Sequence, residues 1–386
     1  MIDTVIVLLA EDQFKVFLPE LFYPSADKIL SPSFHMGGSY TQARQNPYRY
    51  ETKLGIYKPR LTLTKRHKGL QRYEITLKVE YSAPKLLFGN NFDELEQTDI
   101  PKVTDKLQRV LNRMGVSTTV QDIESARIGA IHYSKNIPLA DYTSPSMYLR
   151  ELAKINMNMK LDVNQTDFRN GGHSLKYRTN KREICFYDKM KDLQKAQFSQ
   201  KRSEEQDNAI QLDLFSERKL QKPFEVLRME IRLGDMSNIR KSLTEARVEA
   251  KVIYRDLCNV DVSKAVIQSY WSQIRNSHVP MLSEQDMKPE DYFIRLLRDN
   301  PRFSKTKLLS YVGVKVLCDS IGLRDLRMLL QRFGYRGWYR LMKDLKDLKV
   351  SHTSELLSRL DKAISSFASL KLVDFEGETL NNDKYS

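Results

Sequence analysis

Through the first 245 residues apolar side chains recur mainly with a period of two. Over residues 73–81, Ile75, Leu77 and Val79 fall on one side and Thr76, Lys78 and Glu80 on the other. That is the pattern of a half-buried strand. Residues 226–233 repeat it, with Met229, Ile231 and Leu233 against Arg228, Glu230 and Arg232. Residues 2–9 form an apolar run rich in β-branched side chains, which predicts a buried strand. Residues 127–133 read as another strand, stopped by Asn136 to Pro138, and residues 174–187 as a hairpin turning at Thr179 and Asn180. Two segments break the rhythm. Residues 100–114 set Val103, Leu107, Val110, Leu111 and Met114 on one stripe and predict an amphipathic helix; residues 145–159 predict a second. Residues 188–222 are polar and free of Gly and Pro, an exposed helix or an excursion.

After Gly234 the period lengthens. Residues 239–257, 263–274, 289–299, 305–319, 323–333 and 335–346 all read as helices, with Gly322 and Gly334 as punctuation. Strands first and helices later predict an α+β fold: an antiparallel-sheet domain over residues 1–245, then an all-α domain over 246–375. Residues 376–386 are polar and expected to be a flexible tail. No repeat of solenoid length is present.

Charge changes this picture. The 386 residues hold 63 Lys and Arg against 49 Asp and Glu, a formal net charge of +14. Such a chain is drawn to polyanions, nucleic acid first, although a basic surface by itself says nothing about fold. The basic side chains cluster between residues 42 and 78. Arg44, Arg49, Lys53, Lys58, Arg60, Lys65, Arg66 and Arg72 are interleaved with Tyr48, Tyr50, Tyr57 and Tyr73. Cations for phosphates and rings for bases suit single-stranded nucleic acid; a solvated basic loop has the same composition. Residues 305–333 have a helix–Gly–helix rhythm that serves either a duplex-reading helix-turn-helix or plain bundle packing. Arg336, Arg340, Lys343 and Lys346 are phosphate-contact candidates.

Other classes fall away. Three cysteines, Cys185, Cys258 and Cys318, make no disulfide framework and lie too far apart for a zinc finger, which fits a reducing compartment. No apolar run approaches the ~18 residues of a membrane span, and acidic Asp3 ahead of the first apolar run argues against a secretory leader. No phosphate-binding GxxxxGK[ST] loop, GxSxG or HExxH is present.

The remaining chemistry rests on a few side chains. Glu80, His132 and Glu230 sit on three predicted strands, and a carboxylate–imidazole–carboxylate set suits Mg2+ or Mn2+. Taken singly, each reads as a solvated or ion-paired surface residue. Ile128 and Ala130 share the face of His132 in a regular strand. Tyr187 ends a predicted strand with Lys189 two positions on. A tyrosine oxygen can accept a phosphoryl group, and a nearby amine can lower the phenol pKa or hold the phosphate. Among 19 tyrosines a core role is the plain alternative.

These residues resemble the rolling-circle replication initiators of filamentous phages, the gene II protein family with its gene X region, and more distantly the Rep proteins of small rolling-circle plasmids. Met1-Ile2-Asp3 and the strand after it resemble the family start. Val79-Glu80-Tyr81-Ser82-Ala83-Pro84-Lys85, leading to Gly89-Asn90-Asn91, resembles its glutamate strand and the segment that follows. Residues 182–189 resemble the segment of the nicking tyrosine, and Arg228-Met229-Glu230 the later Arg-x-Glu strand. The four segments occur in order across residues 1–245. The resemblance implies an antiparallel-sheet nickase domain related to HUH-type endonucleases, with Tyr187 as nucleophile, Lys189 beside it, and a divalent metal held by Glu80 and Glu230. Where the family has Arg-Ile-Asp, this chain has Arg127-Ile128-Gly129. Gly129 offers no ligand, and the middle position passes to His132 if the strand bulges, or to Asp122 or Glu124 in another register. The implied reaction is nicking of single-stranded origin DNA within a duplex origin, with host helicase and polymerase as partners in the cytoplasm. Strand closure would need a homodimer, water, or a second tyrosine, Tyr177 or Tyr133. A non-catalytic DNA-binding protein, or a transposase or relaxase of the same chemistry, is the competing reading.

Overall fold

A computed structural model describes residues 1–31, 39–47, 56–69, 72–139, 143–155, 162–169, 173–179, 181–192, 225–279, 282, 287–332, 334–349 and 355–375. Of the excursion expected over 188–222, residues 193–222 lie outside the described residues, as does the tail at 376–386.

Nine strands form one antiparallel sheet: β1 (Ile2–Ala10), β3 (Tyr40–Gln45), β4 (Arg60–His67), β5 (Tyr73–Ser82), β7 (Arg127–Leu139), β8 (Asp162–Arg169), β9 (Ser174–Thr179), β10 (Arg182–Asp188) and β11 (Glu225–Leu233). Their order across the sheet is β3-β4-β5-β1-β7-β11-β10-β9-β8. A two-stranded ribbon, β2 (Lys15–Val16) with β6 (Val116–Ser117), lies apart. The α+β class expected from the periodicity is present, with a largely helical second half.

Helices cover one face. They are α1 (Asp27–Leu30), α2 (Ala83–Phe88), α3 (Ile100–Arg113), α4 (Val120–Ser125), α5 (Pro145–Ala153), α6 (Met236–Glu245), α7 (Tyr254–Leu257), α8 (Val260–Ser277) and α13 (Glu355–Ser366). Alternation explains the arrangement. Val5, Val7 and Leu9 of β1, Leu77 and Val79 of β5, and Met229 and Ile231 of β11 point into one core. The helices add Leu107, Leu111, Leu243, Val266, Ile267 and Leu360 to it. The opposite residues of the same strands line a face dominated by polar side chains.

A separate core joins α9 (Pro289–Asp299), α10 (Lys305–Ile321), α11 (Leu323–Gln331) and α12 (Tyr335–Asp347) around Tyr292, Leu308, Tyr311, Trp338 and Leu345. The expected boundary near residue 245 does not coincide with a division of the hydrophobic core. Helices α7, α8 and α13 pack on the sheet, and the second core spans residues 279–348.

Three elements depart furthest from their expected bounds. β7 continues through Pro138 to Leu139, because beyond Tyr133 it pairs with β11 alone; a proline, which lacks the N–H of a ladder, is tolerated on such an edge. The helix expected over 239–257 stops at Glu245. Arg247 adopts a left-handed φ of 56°, and Ile253 bridges to Arg127 before α7 begins. The helix expected over 145–159 ends at Ala153, with 156–159 outside the described residues.

Candidate active site on the open face of the sheet

Cross-strand partners share a face, so the register gives the layout. Glu80 lies opposite Ile6 and Arg60, His132 opposite Arg232, Glu230 opposite both Ser134 and Cys185, and Tyr187 opposite Arg228. All of these project from the uncovered side.

His132 reaches that side through a bulge. Ile6 of β1 faces Ala130 but the next residue, Val7, faces Ile128, so Gly129 is an extra residue in β7. Ile128 is thereby turned into the core and His132 away from it, which corrects the shared face expected for a regular strand. A Cβ on Gly129 would lie 3.1 Å from Leu8 Cδ1 and 3.2 Å from Leu8 Cγ. Leu8 thus crowds the place where a side chain at position 129 would begin.

Tyr187 is half-buried. Its hydroxyl donates to Glu230 Oε2 at 3.0 Å. Glu230 also accepts from Arg232 Nε at 2.8 Å and from Arg232 Nη2 at 3.1 Å, and His132 Nδ1 is 3.3 Å from its other oxygen. Arg232 extends the chain of charges to Glu183 at 3.2 Å, and Glu183 to Lys176 at 3.1 Å. Burial pushes the Glu230 carboxyl up, but Arg232 and His132 outweigh it and hold the group well below the ordinary carboxylate range. Burial pushes the Tyr187 phenol well up; Glu230 adds to the rise and the Arg228 guanidinium opposes it.

Arg228 is almost wholly enclosed, at 2% exposure. It donates to the Asn91 carbonyl at 2.7 Å and to Ser134 Oγ at 2.8 Å, and it pairs with Asp3 at 3.1 Å. Its Nε has no hydrogen-bond partner among the described residues. Asp3 reaches it through a second irregularity of β1, where Ile2 and Val5 both stay in the core opposite Tyr133 and Ile131. Lys189, fully buried, donates to Asn91 Oδ1 at 2.8 Å. Burial first, then Arg228, lowers its ammonium pKa to about 7. Among the described residues the link from Lys189 to Tyr187 runs through Asn91 and Arg228. A small apolar cap of Phe92, Val226, Leu370 and Leu372, with Met190 against it, closes this end of the face.

The expected metal set is not brought together. His132 and Glu230 touch, but Glu80 pairs with Lys78 at 2.8 Å. β1 separates its strand from β7, a step of about 10 Å between backbones. Among the described residues no three His, Cys, Asp or Glu side chains are grouped to hold a metal ion. Asp122 caps its own helix α4 through Thr119, and Glu124 lies on that same helix. The residues present therefore do not fit one shared divalent ion.

The other expected residues divide. Tyr177 and Tyr133 belong to the core on the far face, their hydroxyls donating to the carbonyls of Leu152 and Leu257, and burial raises both phenols. Neither adjoins Tyr187. Of the basic cluster, Arg44, Arg60 and Arg66 are exposed on the open face, and Arg72 is exposed beyond it. Lys58 is half-buried. Lys65 is buried on the core side, donating to the Ser31 carbonyl at 2.9 Å with its ammonium over the Tyr73 ring. Arg49 and Lys53 lie outside the described residues. Sequence periodicity did not single out Arg228, Asp3 and Asn91 as site residues; their presence in the segments that carry the family resemblance was the available signal.

No helix among the described residues is long and apolar enough to cross a membrane. No family model, curated protein or solved structure matches this chain.

Proposed function

We propose that the chain is a rolling-circle DNA replication initiator that nicks one strand of its origin by tyrosine transesterification. The observation that supports this most is Tyr187: a phenol on an open polar sheet face, its proton directed at Glu230 and a buried guanidinium opposite it in register.

The Tyr187 oxygen attacks the scissile phosphorus. A P–O bond to tyrosine forms, the P–O3′ bond breaks, and the leaving oxygen takes a proton to become the 3′-OH primer. The phenol proton passes towards Glu230, which orients it and, held at low pKa, is a weak base. Arg228 supplies positive charge beside the attacked phosphate, and Lys189 and Asn91 brace it. In the closing step a 3′-OH attacks the phosphotyrosine and the tyrosyl oxygen leaves. The phosphodiester energy is retained, so no nucleotide triphosphate is consumed. Arg44, Arg60 and Arg66 offer phosphate contacts for single-stranded DNA approaching over the same face. Host helicase and polymerase would act on the nicked duplex origin in the cytoplasm. Mg2+ or Mn2+ would need ligands other than Glu80, His132 and Glu230 together, and the test below compares Mn2+ with chelator.

A second reading, a non-catalytic DNA-binding protein, draws on α12. There Arg336, Arg340 and Lys343 form an exposed basic stripe, while Lys346 is bonded to the Asn276 carbonyl at 2.9 Å.

The test mixes the protein with single-stranded fragments of its replicon, with Mn2+ or with chelator, and resolves covalent adducts on denaturing gels. An adduct present in wild type and lost in Tyr187→Phe is expected. An adduct that survives the substitution moves the nucleophile elsewhere. Salt-sensitive binding without any adduct favours the second reading.

A further inference from the structure

Helix α10 is apolar on both sides. Leu308, Tyr311, Val312 and Cys318 enter the helical core, yet Leu309 is 55% exposed, Leu317 49% and Val316 44%. Ile321 at the end of α10, and Met328 and Leu329 on α11, are exposed too. Single exposed apolar residues are ordinary, but a contiguous stripe marks an interaction surface. Along the exposed side from Leu309 to Ser320 the only charge is Asp319, which pairs with Lys315 at 2.7 Å and lies 4.0 Å from Lys154, just after α5.

The order of sizes on the stripe names its occupant. Leu309, Gly313, Val316 and Ser320 follow one another at spacings of four, three and four, the seam spacing of paired helices. Large and small residues alternate along that seam. Gly313 weakens the middle of a helix, and no contact among the described residues requires it, because a Cβ there would meet none of their atoms within 4 Å. Run antiparallel against a copy of itself about a two-fold axis between Val314 and Lys315, the seam sets Leu309 over Ser320 and Val316 over Gly313. Asp319 then meets Ser310 rather than another charge. A parallel pairing would set Gly313 on Gly313 and Leu309 on Leu309, leaving holes and bumps.

We propose that this face of α10 is an isologous contact with a second copy of the chain, its two helices antiparallel across the axis. One helix pair with flanking Leu317 is smaller than the ~800 Å² per partner of a standard interface, so the dimer is a weak one, of micromolar dissociation constant. The contact stands apart from the activity proposed above. If that activity holds, it also brings a second Tyr187 into the assembly, the group that strand closure calls for.

The test is sedimentation velocity of the full chain from about 1 to 100 µM, with a register-specific crosslink. A concentration-dependent dimer is expected. Val316→Asp, at an exposed position, should raise the concentration of half-dimerisation at least tenfold while the thermal midpoint stays put. A chain carrying Leu309→Cys should crosslink to a chain carrying Ser320→Cys, and neither to itself. A monomer throughout, a dimer indifferent to Val316→Asp, or Leu309→Cys crosslinking with itself would overturn the proposal.

Discussion

The two ends of the open sheet face carry the same kinds of side chain in different states. At the β3-β4-β5 end, Arg44, Arg60 and Arg66 are exposed, and Lys78 and Glu80 form a solvated pair. At the β7-β11-β10 end, Arg228, Glu230 and Lys189 are almost wholly enclosed and bonded to named partners. The difference comes from what lies above them. The loop carrying Asn91 and Phe92, together with Leu370 and Leu372, caps one end, while the other faces solvent. Exposed charges are screened and interchangeable. Enclosed ones are fixed in geometry, shifted in pKa and costly to leave unpaired. One end therefore presents solvated cations and the other a buried charge array of fixed geometry.

The sharpest way to break this contrast is to remove one member of each end. Arg228→Met should leave the Asp3 carboxylate buried without its cation and cost about 3–5 kcal/mol in urea unfolding. Arg60→Ala should stay within about 0.5 kcal/mol of wild type. Equal effects would sink the comparison.

The enclosed end should also show in the pH dependence of stability. Lys189 is protonated below pH ~10 when unfolded but only below about 7 when folded. Between those values the unfolded chain binds more protons, so stability rises with pH, by up to ~1.4 kcal/mol per unit from this group. Lys189→Met should flatten the rise between pH 7 and 9 and stabilise the protein most below pH 7. Parallel curves for the two proteins would place Lys189 in contact with water.

At the exposed end the effect is on binding alone. The triple change Arg44→Ala, Arg60→Ala and Arg66→Ala should reduce the salt slope of single-stranded DNA binding by about 2, at ~0.7 per phosphate contact. The unfolding midpoint should not move. An unchanged slope would show that DNA takes another path. Smallest of all is Gly129→Ala, where Leu8 must give way by a few tenths of an ångström; a loss of about 1 kcal/mol is expected, read from thermal unfolding.

Much of the frame was legible because it depends on local periodicity. The alternation around Leu77 and Met229 places Glu80 and Glu230 away from the core before any tertiary contact is known, and the helix bounds at 289–299 were read to the residue. The limits were equally local. No pattern at Asn136 to Pro138 tells that β7 is an edge there, and nothing in 239–257 announces that Arg247 turns left-handed. The site was legible residue by residue but not as a constellation. Glu80 and His132 both project from the open face, yet an intervening strand keeps them apart, while Tyr187 and Glu230, 43 residues apart in the chain, share a hydrogen bond.

By itself the sequence determined the α+β class, the basic charge and the alternating strands around Leu77 and Met229, since each follows from side-chain period and composition, but not the strands at Tyr40–Gln45 and Arg60–His67 or the helix at Glu355–Ser366. Tertiary structure alone decided which face of β7 carries His132, through one extra residue opposite β1. It also decided that Arg228 meets Asp3 and Asn91, and that helices from both sides of the second core complete the first. Those outcomes depend on register and on what covers a face. Both are set by contacts between residues far apart in the chain, which no local period can encode.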